Sequence, residues 1–139
     1  MLAQLIYVSN RKSNCTEQEI EKILESCKKN NPGLDITGVL LYNNKVFLQL
    51  VEGEYKIIIE TYDKIKKDNR HEKCVMLSCV TIKEKSFSSW NMGLKKIDNT
   101  IDVLTNISKE EKKYLEYLIS GNEEKDGLKA LNIIKKIFN

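Results

Sequence analysis

The sequence predicts an α+β fold: a ferredoxin-like βαββαββ unit with two helices over one sheet face and two C-terminal helices on the opposite face. Three observations predict it. Apolar runs with a two-residue period recur around residues 2–9, 36–51 and 74–82, the spacing of strands buried on at least one face. Between them, the stretches after Thr16 and after Gly53 carry apolar residues every three or four positions, the spacing of helices. The resulting order is strand, helix, strand, strand, helix, strand, strand, one strand more than the minimal ferredoxin-like unit.

Each element has its own signal. Leu2 to Ser9 reads as a strand with Ala3, Leu5, Tyr7 and Ser9 on one face. Thr16-Glu-Gln-Glu19 is a capping-box start, followed at helical spacing by Ile20, Ile23, Leu24 and Cys27. This helix is expected to stop at Asn30-Asn31-Pro32-Gly33, where proline and glycine break the pattern. A hairpin follows with a turn at Asn43-Asn44, and its alternation puts Phe47, Gln49 and Val51 on one face. A two-residue loop would place Gln49 opposite Gly38. An amide buried without partners costs about 2–7 kcal/mol, so Gln49 needs hydrogen bonds where it stands among Val, Phe and Leu. Gly38 marks either a bulge or packing adjustment, or the close approach of a ligand or another backbone.

The second helix runs from Tyr55 to about Asp68, with Ile58, Tyr62 and Ile65 as its stripe. Lys64 and Asp68 flank Ile65 one turn apart, as a solvated pair or as ligand contacts. Asp68-Asn-Arg-His71 ends the helix, Cys74 to Ile82 alternates as a strand, and Phe87 to Leu94, with Trp90 and Met92, is the last strand expected. Ser108-Lys-Glu-Glu111 opens a further helix through Tyr114, Leu115, Leu118 and Ile119, with Gly121 as its stop. The last helix spans roughly Glu124 to Phe138 and carries Leu128, Leu131, Ile134 and Phe138. Helices on one face leave the other side of the sheet apolar, and this tail is placed to cover it.

The 139 residues suit one domain. Interspersed charges summing to +3 imply no nucleic acid. With no leader pattern and no long apolar run, the protein is expected to be soluble and cytoplasmic. Cys15, Cys27, Cys74 and Cys79 lack C-x-x-C spacing and have a single histidine, His71, to join them, so no metal site is expected and the cysteines read as reduced. That histidine, just after a helix, reads as a capping or surface residue rather than part of a hydrolytic triad. No glycine-rich phosphate loop is present. Tyr7, Asn31, Gln49, Trp90 and Met92 remain, a set of hydrogen-bonding and soft groups among apolar ones. It suits a planar, amphipathic heterocycle whose polar edge is read by amides.

Five motifs resemble those of the BLUF (blue light using flavin) photoreceptor domains, in family order across about residues 1–97. They are Tyr7-Val-Ser9, Asn30-Asn31 before Ile36-Thr37-Gly38, Phe47-Leu-Gln49-Leu-Val-Glu52-Gly53, Asp68-Asn-Arg-His71, and Phe87-Ser-Ser-Trp90-Asn-Met92-Gly93. The resemblance implies a blue-light sensor domain over 1–97, with 98–139 as a helical extension packing on it. It implies a flavin, FAD ahead of FMN or riboflavin, lying between the first two helices. By matching position, Asn31 would bind the pyrimidine carbonyl edge, and Gln49 would sit between Tyr7 and the N5/O4 edge. Tyr7 would be the light-driven electron and proton donor. Ile23, Phe47 and Ile65 would pack the ring; Lys64 and Asp68 would contact the flavin or its ribityl and phosphate portion; Asn30, Arg70 and His71 complete the expected contacts. Trp90 and Met92 would read the switched amide. Lys64 stands where the family often has arginine, which forgoes a bidentate contact, and Val51 replaces the usual leucine. The implied protein is not an enzyme; it signals to a downstream partner protein and self-associates as a dimer or larger oligomer. A small ferredoxin-like enzyme or ligand-binding module is the alternative, because fold does not fix function.

Overall fold

Alternation along the strands sorts their side chains into two layers in the computed structural model, which describes residues 1–96, 108–119 and 129–138. The strands are β1 (Leu2–Arg11), β2 (Thr37–Tyr42), β3 (Val46–Glu54), β4 (His71–Thr81) and β5 (Gly93–Lys96). They form one sheet in the order β4-β1-β3-β2-β5, with β5 parallel to β2 and the other neighbours antiparallel. Leu5, Tyr7, Leu40, Phe47 and Val51 face one side, where α1 (Glu17–Leu34) and α2 (Tyr55–Lys66) supply Ile20, Ile58 and Tyr62. Ile6, Val8, Val39, Leu41, Leu48 and Leu50 face the other. There α3 (Lys109–Ile119) and α4 (Lys129–Phe138) contribute Leu115, Leu118, Ile133, Ile134 and Ile137. The expected α+β arrangement, with its tail helices on the opposite face, is therefore the one observed.

Both capping starts form. Glu19 N–H donates to Thr16 Oγ at 3.3 Å, and Ser108 and Glu111 satisfy each other's backbone N–H groups at 2.9 and 3.1 Å. The expected stop at Asn30–Gly33 is overturned: α1 continues through Pro32 to Leu34 and ends on Asp35 in the left-handed region (φ 52°). Proline removes the donor that would have served the carbonyl of Lys28, a loss that is small on an exposed residue whose carbonyl can turn to solvent. The Asp35 and Ile36 N–H groups then close the end on Asn31 O and Pro32 O.

The hairpin register also differs from expectation. Tyr42 pairs with Phe47, so Gln49 lies opposite Leu40 and Gly38 opposite Val51. The register moves by two because the turn closes one residue later: Asn43 N–H donates to Val46 O at 3.1 Å, and Asn43 Oδ1 accepts from Lys45 N–H and Val46 N–H at 2.8 and 2.9 Å, holding an Asx turn. A two-residue shift keeps every side chain on its expected face, whereas a one-residue slip would invert them all. The last strand is shorter than the expected Phe87–Leu94. Residues 87–90 form a turn closed by Trp90 N–H donating to Phe87 O at 3.1 Å, and pairing begins only at Gly93. β4 starts earlier than expected, at His71. The helix stop at Gly121, the start at Glu124, Leu128 and the boundary at 97/98 lie outside the described residues.

Candidate functional site

Between α1, α2 and the sheet lies a partly open cavity of about 130 Å³. The floor is β1 and β3. The antiparallel register sets Tyr7 directly opposite Gln49, so the phenol and the amide meet on one face. Tyr7 O–H donates to Gln49 Oε1, and Gln49 Nε2 donates to Met92 Sδ at 3.4 Å. Burial holds the Tyr7 phenol well above its ordinary pKa, with smaller contributions from Cys74, Cys27, Tyr62 and Asp68. It is therefore a neutral hydrogen-bond donor. Asn31 lies on the last turns of α1, which the continuation past Pro32 keeps helical, and its Nδ2 donates to Asn91 O at 2.9 Å.

Polar groups gather where α2 ends. Asp68 accepts from Arg70 through both carboxylate oxygens, with contacts of 2.5–3.1 Å, and that guanidinium holds the carboxyl below its usual range. Arg70 also reaches Glu19 on α1 at 3.7 Å, tying the two helices together. Of the two expectations for His71, capping or surface, capping is the one observed. The ring is buried, with Nε2 2.5 Å from Ile65 O and Nδ1 2.7 Å from Ser9 Oγ. A carbonyl only accepts, so Nε2 donates to Ile65 O and the histidine caps α2 from inside.

Tyr7, Ile23, Asn31, Phe47, Gln49, Ile65, Asp68, Arg70, His71 and Met92 all line this one cavity. Three expected site residues do not. Trp90 lies against the opposite apolar layer, packed on Phe87 and Phe138 at centroid distances of 5.6 and 5.2 Å. Lys64 is exposed, and Asn30 is exposed with its amide donating to Ser26 Oγ. Gly38 does not open onto a ligand: a Cβ there would stand 2.1 Å from Leu50 O, so the glycine answers the close approach of the neighbouring backbone. Sequence reasoning missed Cys27, Ile36, Leu40, Val51 and Thr61 as lining residues. Cys27 and Val51 had been placed on the right faces, and only helix spacing over the sheet reveals the gap beside them. Burial raises the Cys27 thiol pKa, so it is an uncharged wall. Among the described residues no group of three or more His, Cys, Asp or Glu could hold a metal, and no helix is long and apolar enough to cross a membrane.

Comparison with known proteins places this geometry. Residues 2–93 match the family described as sensors of blue-light using FAD. The chain is 33% identical over 94 residues to the blue light- and temperature-regulated antirepressor BluF of Escherichia coli (strain K12), covering 68% of this chain and 23% of that protein. It is 30% identical over 92 residues to photoactivated adenylate cyclase subunit beta of Euglena longa, covering 66% of this chain and 11% of the relative. The chain thus spans less than a quarter of these curated relatives' length. Among solved structures, the dark state of the BLUF protein BlrB superposes with a TM-score of 0.74 at 25% identity, covering 96% of each chain.

Proposed function

The chain belongs to the BLUF family of blue-light sensors that use FAD, and on that premise we propose that its signal is a reorientation of the Gln49 amide between Tyr7 and Met92. The observation that carries the reading is the pair of contacts on that amide, its oxygen accepting from a buried phenol and its nitrogen facing a thioether.

The residues present fit a flavin. Gln49 Nε2 carries two N–H groups, yet its recorded partner is a sulfur, a weak acceptor, so a polar ring edge in the cavity would complete its hydrogen bonding. Asn31 would bind the pyrimidine edge, Ile23, Phe47 and Ile65 would sandwich the rings, and Asp68, Arg70 and His71 would stand at the polar end. Lys64 and Asn30 would meet only those parts of FAD that extend beyond the cavity lining. When bound, FAD supplies blue-light absorption and an excited state able to draw an electron from a nearby phenol.

The protein's own part follows from the amide. Its two ends differ, acceptor against donor, and half a turn about the last side-chain torsion exchanges them. Tyr7, kept protonated by burial, then faces the NH₂ group and accepts from it. Met92 Sδ then faces oxygen, two lone-pair atoms with no hydrogen between them, so the contact that held Met92 is lost. Met92 immediately precedes β5, and Trp90 two residues earlier packs on α4. We assign residues 1–97 to sensing and 98–139 to transmission toward a partner protein, with self-association through the covered face. The near end-to-end match to BlrB supports a sensor without a catalytic step of its own; the cyclase and antirepressor activities belong to the relatives that carry those names.

The test is the visible spectrum of the FAD-bound protein. A band that shifts reversibly under blue light, and does not shift in Gln49→Leu while FAD stays bound, is the expected result. A wild-type protein that binds FAD and shows no shift would overturn the reading in favour of a ligand-binding module or an enzyme.

A further inference from the structure

On the face of the sheet away from Tyr7, a carboxylate is buried that the amide switch does not use. Glu52 follows Gln49 by three positions on β3, so alternation turns it to the opposite side, and it has no exposed surface. A buried carboxylate is stable only where donors replace its water. Among the described residues no cation pairs with it. Its donors are Gln4 Nε2 at 3.1 Å, Ser86 N–H at 3.0 and 2.9 Å to its two oxygens, and Phe87 N–H at 2.9 Å. Charge-assisted bonds to backbone N–H groups are among the stronger kind, and they fix main chain rather than a movable side chain.

Those two N–H groups begin the segment that ends in the cavity. From Phe87 the chain turns so that Trp90 O accepts from Gly38 N–H at 2.9 Å, Asn91 O accepts from Asn31 Nδ2, and Met92 Sδ meets the Gln49 amide. Strand pairing begins only at Gly93. The stretch is thus tied at its start by Glu52 on β3 and at its end by Gly38 on β2, Asn31 on α1 and Gln49 on β3.

We propose that Glu52 is a positioning residue for the light switch: its buried carboxylate, by holding the Ser86 and Phe87 N–H groups, sets where Trp90 and Met92 stand relative to Gln49. This deepens the proposed function and rests on it for the part played by Met92. One strand then carries both the amide that moves and the anchor of the segment that reads it.

The test begins with FAD-bound protein in the dark. Hydrogen exchange should find the Ser86 and Phe87 amides protected, and in Glu52→Gln these two should exchange at least about tenfold faster, since an amide side chain offers one acceptor where the carboxylate offers two. Trp90 is the only tryptophan in the chain, so its quenching by acrylamide reports on the segment directly. Quenching should rise in Glu52→Gln, and the decay of the light-induced shift should change severalfold with FAD still bound. The exchanged pair Gln4→Glu with Glu52→Gln keeps the charge and the amide-carboxylate contact but moves the acceptor away from Ser86 and Phe87. A purely structural role predicts that it restores wild-type decay and quenching; positioning predicts that it does not. Restoration would overturn the proposal. So would Ser86 and Phe87 amides in the wild type that exchange as fast as those of Glu84 and Lys85, a measurement that needs no variant. Absence of any light-induced shift in the wild type would instead defeat the switch, leaving the dark measurements to judge the anchor separately.

Discussion

On the face carrying Tyr7 and Gln49, α1 and α2 stand apart over a cavity. On the face carrying Ile6 and Leu50, α3 and α4 close the space with Leu115, Leu118, Ile133 and Ile134, all essentially without exposed surface. The same strands serve both layers, yet the cavity face collects a phenol, two amides and an imidazole, while the packed face uses its polar residues Gln4 and Glu52 to anchor a loop. The difference separates two jobs. A closely packed layer yields stability in proportion to the apolar area it buries. A layer that receives a ligand gives up packing, and its polar groups have more than one way of being satisfied. Substitutions on the two faces should therefore fail in different ways.

The largest expected effect is on the cavity face. Gln49→Leu should bind FAD and lose the light-induced shift entirely, and Tyr7→Phe should bind FAD and lose the normal photocycle. Flash spectroscopy on either variant checks this, and a fully photoswitching Leu variant would sink the hydrogen-bond assignment. Next comes a paired comparison. Leu50→Ala should cost about 2–5 kcal/mol in denaturant unfolding, because it empties a site with no room to collapse. Ile23→Ala, half-buried beside space that already exists, should cost clearly less but weaken FAD binding. Equal destabilisation by the two would erase the proposed division between the faces.

A smaller effect is expected across the sheet. Hydrogen exchange in the dark and under blue light should differ over 109–119 and 129–138, and sedimentation should find self-association. A monomer in both states with unchanged protection from Trp90 onward would rule out transmission by this route. The smallest effect concerns pH. Arg70 lowers the folded pKa of Asp68, so this pair's contribution is present above the unfolded carboxylate value of about 3.9 and is lost as pH falls through the folded value. The sign reverses for Tyr7, whose raised folded pKa adds stability below about pH 10 that is lost as pH rises through the folded value. Asp68 is partly exposed, so Asp68→Asn should blunt the acid side of a melting-temperature profile by well under about 1 kcal/mol. A larger loss at neutral pH would mean that Asp68 does more than pair with Arg70.

What the sequence determined by itself is the sorting of side chains. The two-residue period put Ala3, Leu5, Tyr7 and Ser9 on one face of their strand and Phe47, Gln49 and Val51 on one face of theirs, the spacing of Ile20, Ile23 and Cys27 gave α1 its inward stripe, and the motifs identified the family. These readings survived a hairpin register wrong by two positions, because facing depends on parity, a local property, while register depends on how the loop closes. The tertiary structure decided what local spacing does not encode. Pro32 lies inside α1 because Asp35 and Ile36 supply the closing bonds from beyond it. Met92 rather than Trp90 reaches Gln49 because a turn before β5 throws the two side chains to opposite sides of the sheet. Glu52 passed as one letter of a motif, and its partners Ser86 and Phe87 lie more than thirty residues away. A hydrogen bond of that range is fixed by the packing of distant segments, which no periodicity in the chain records.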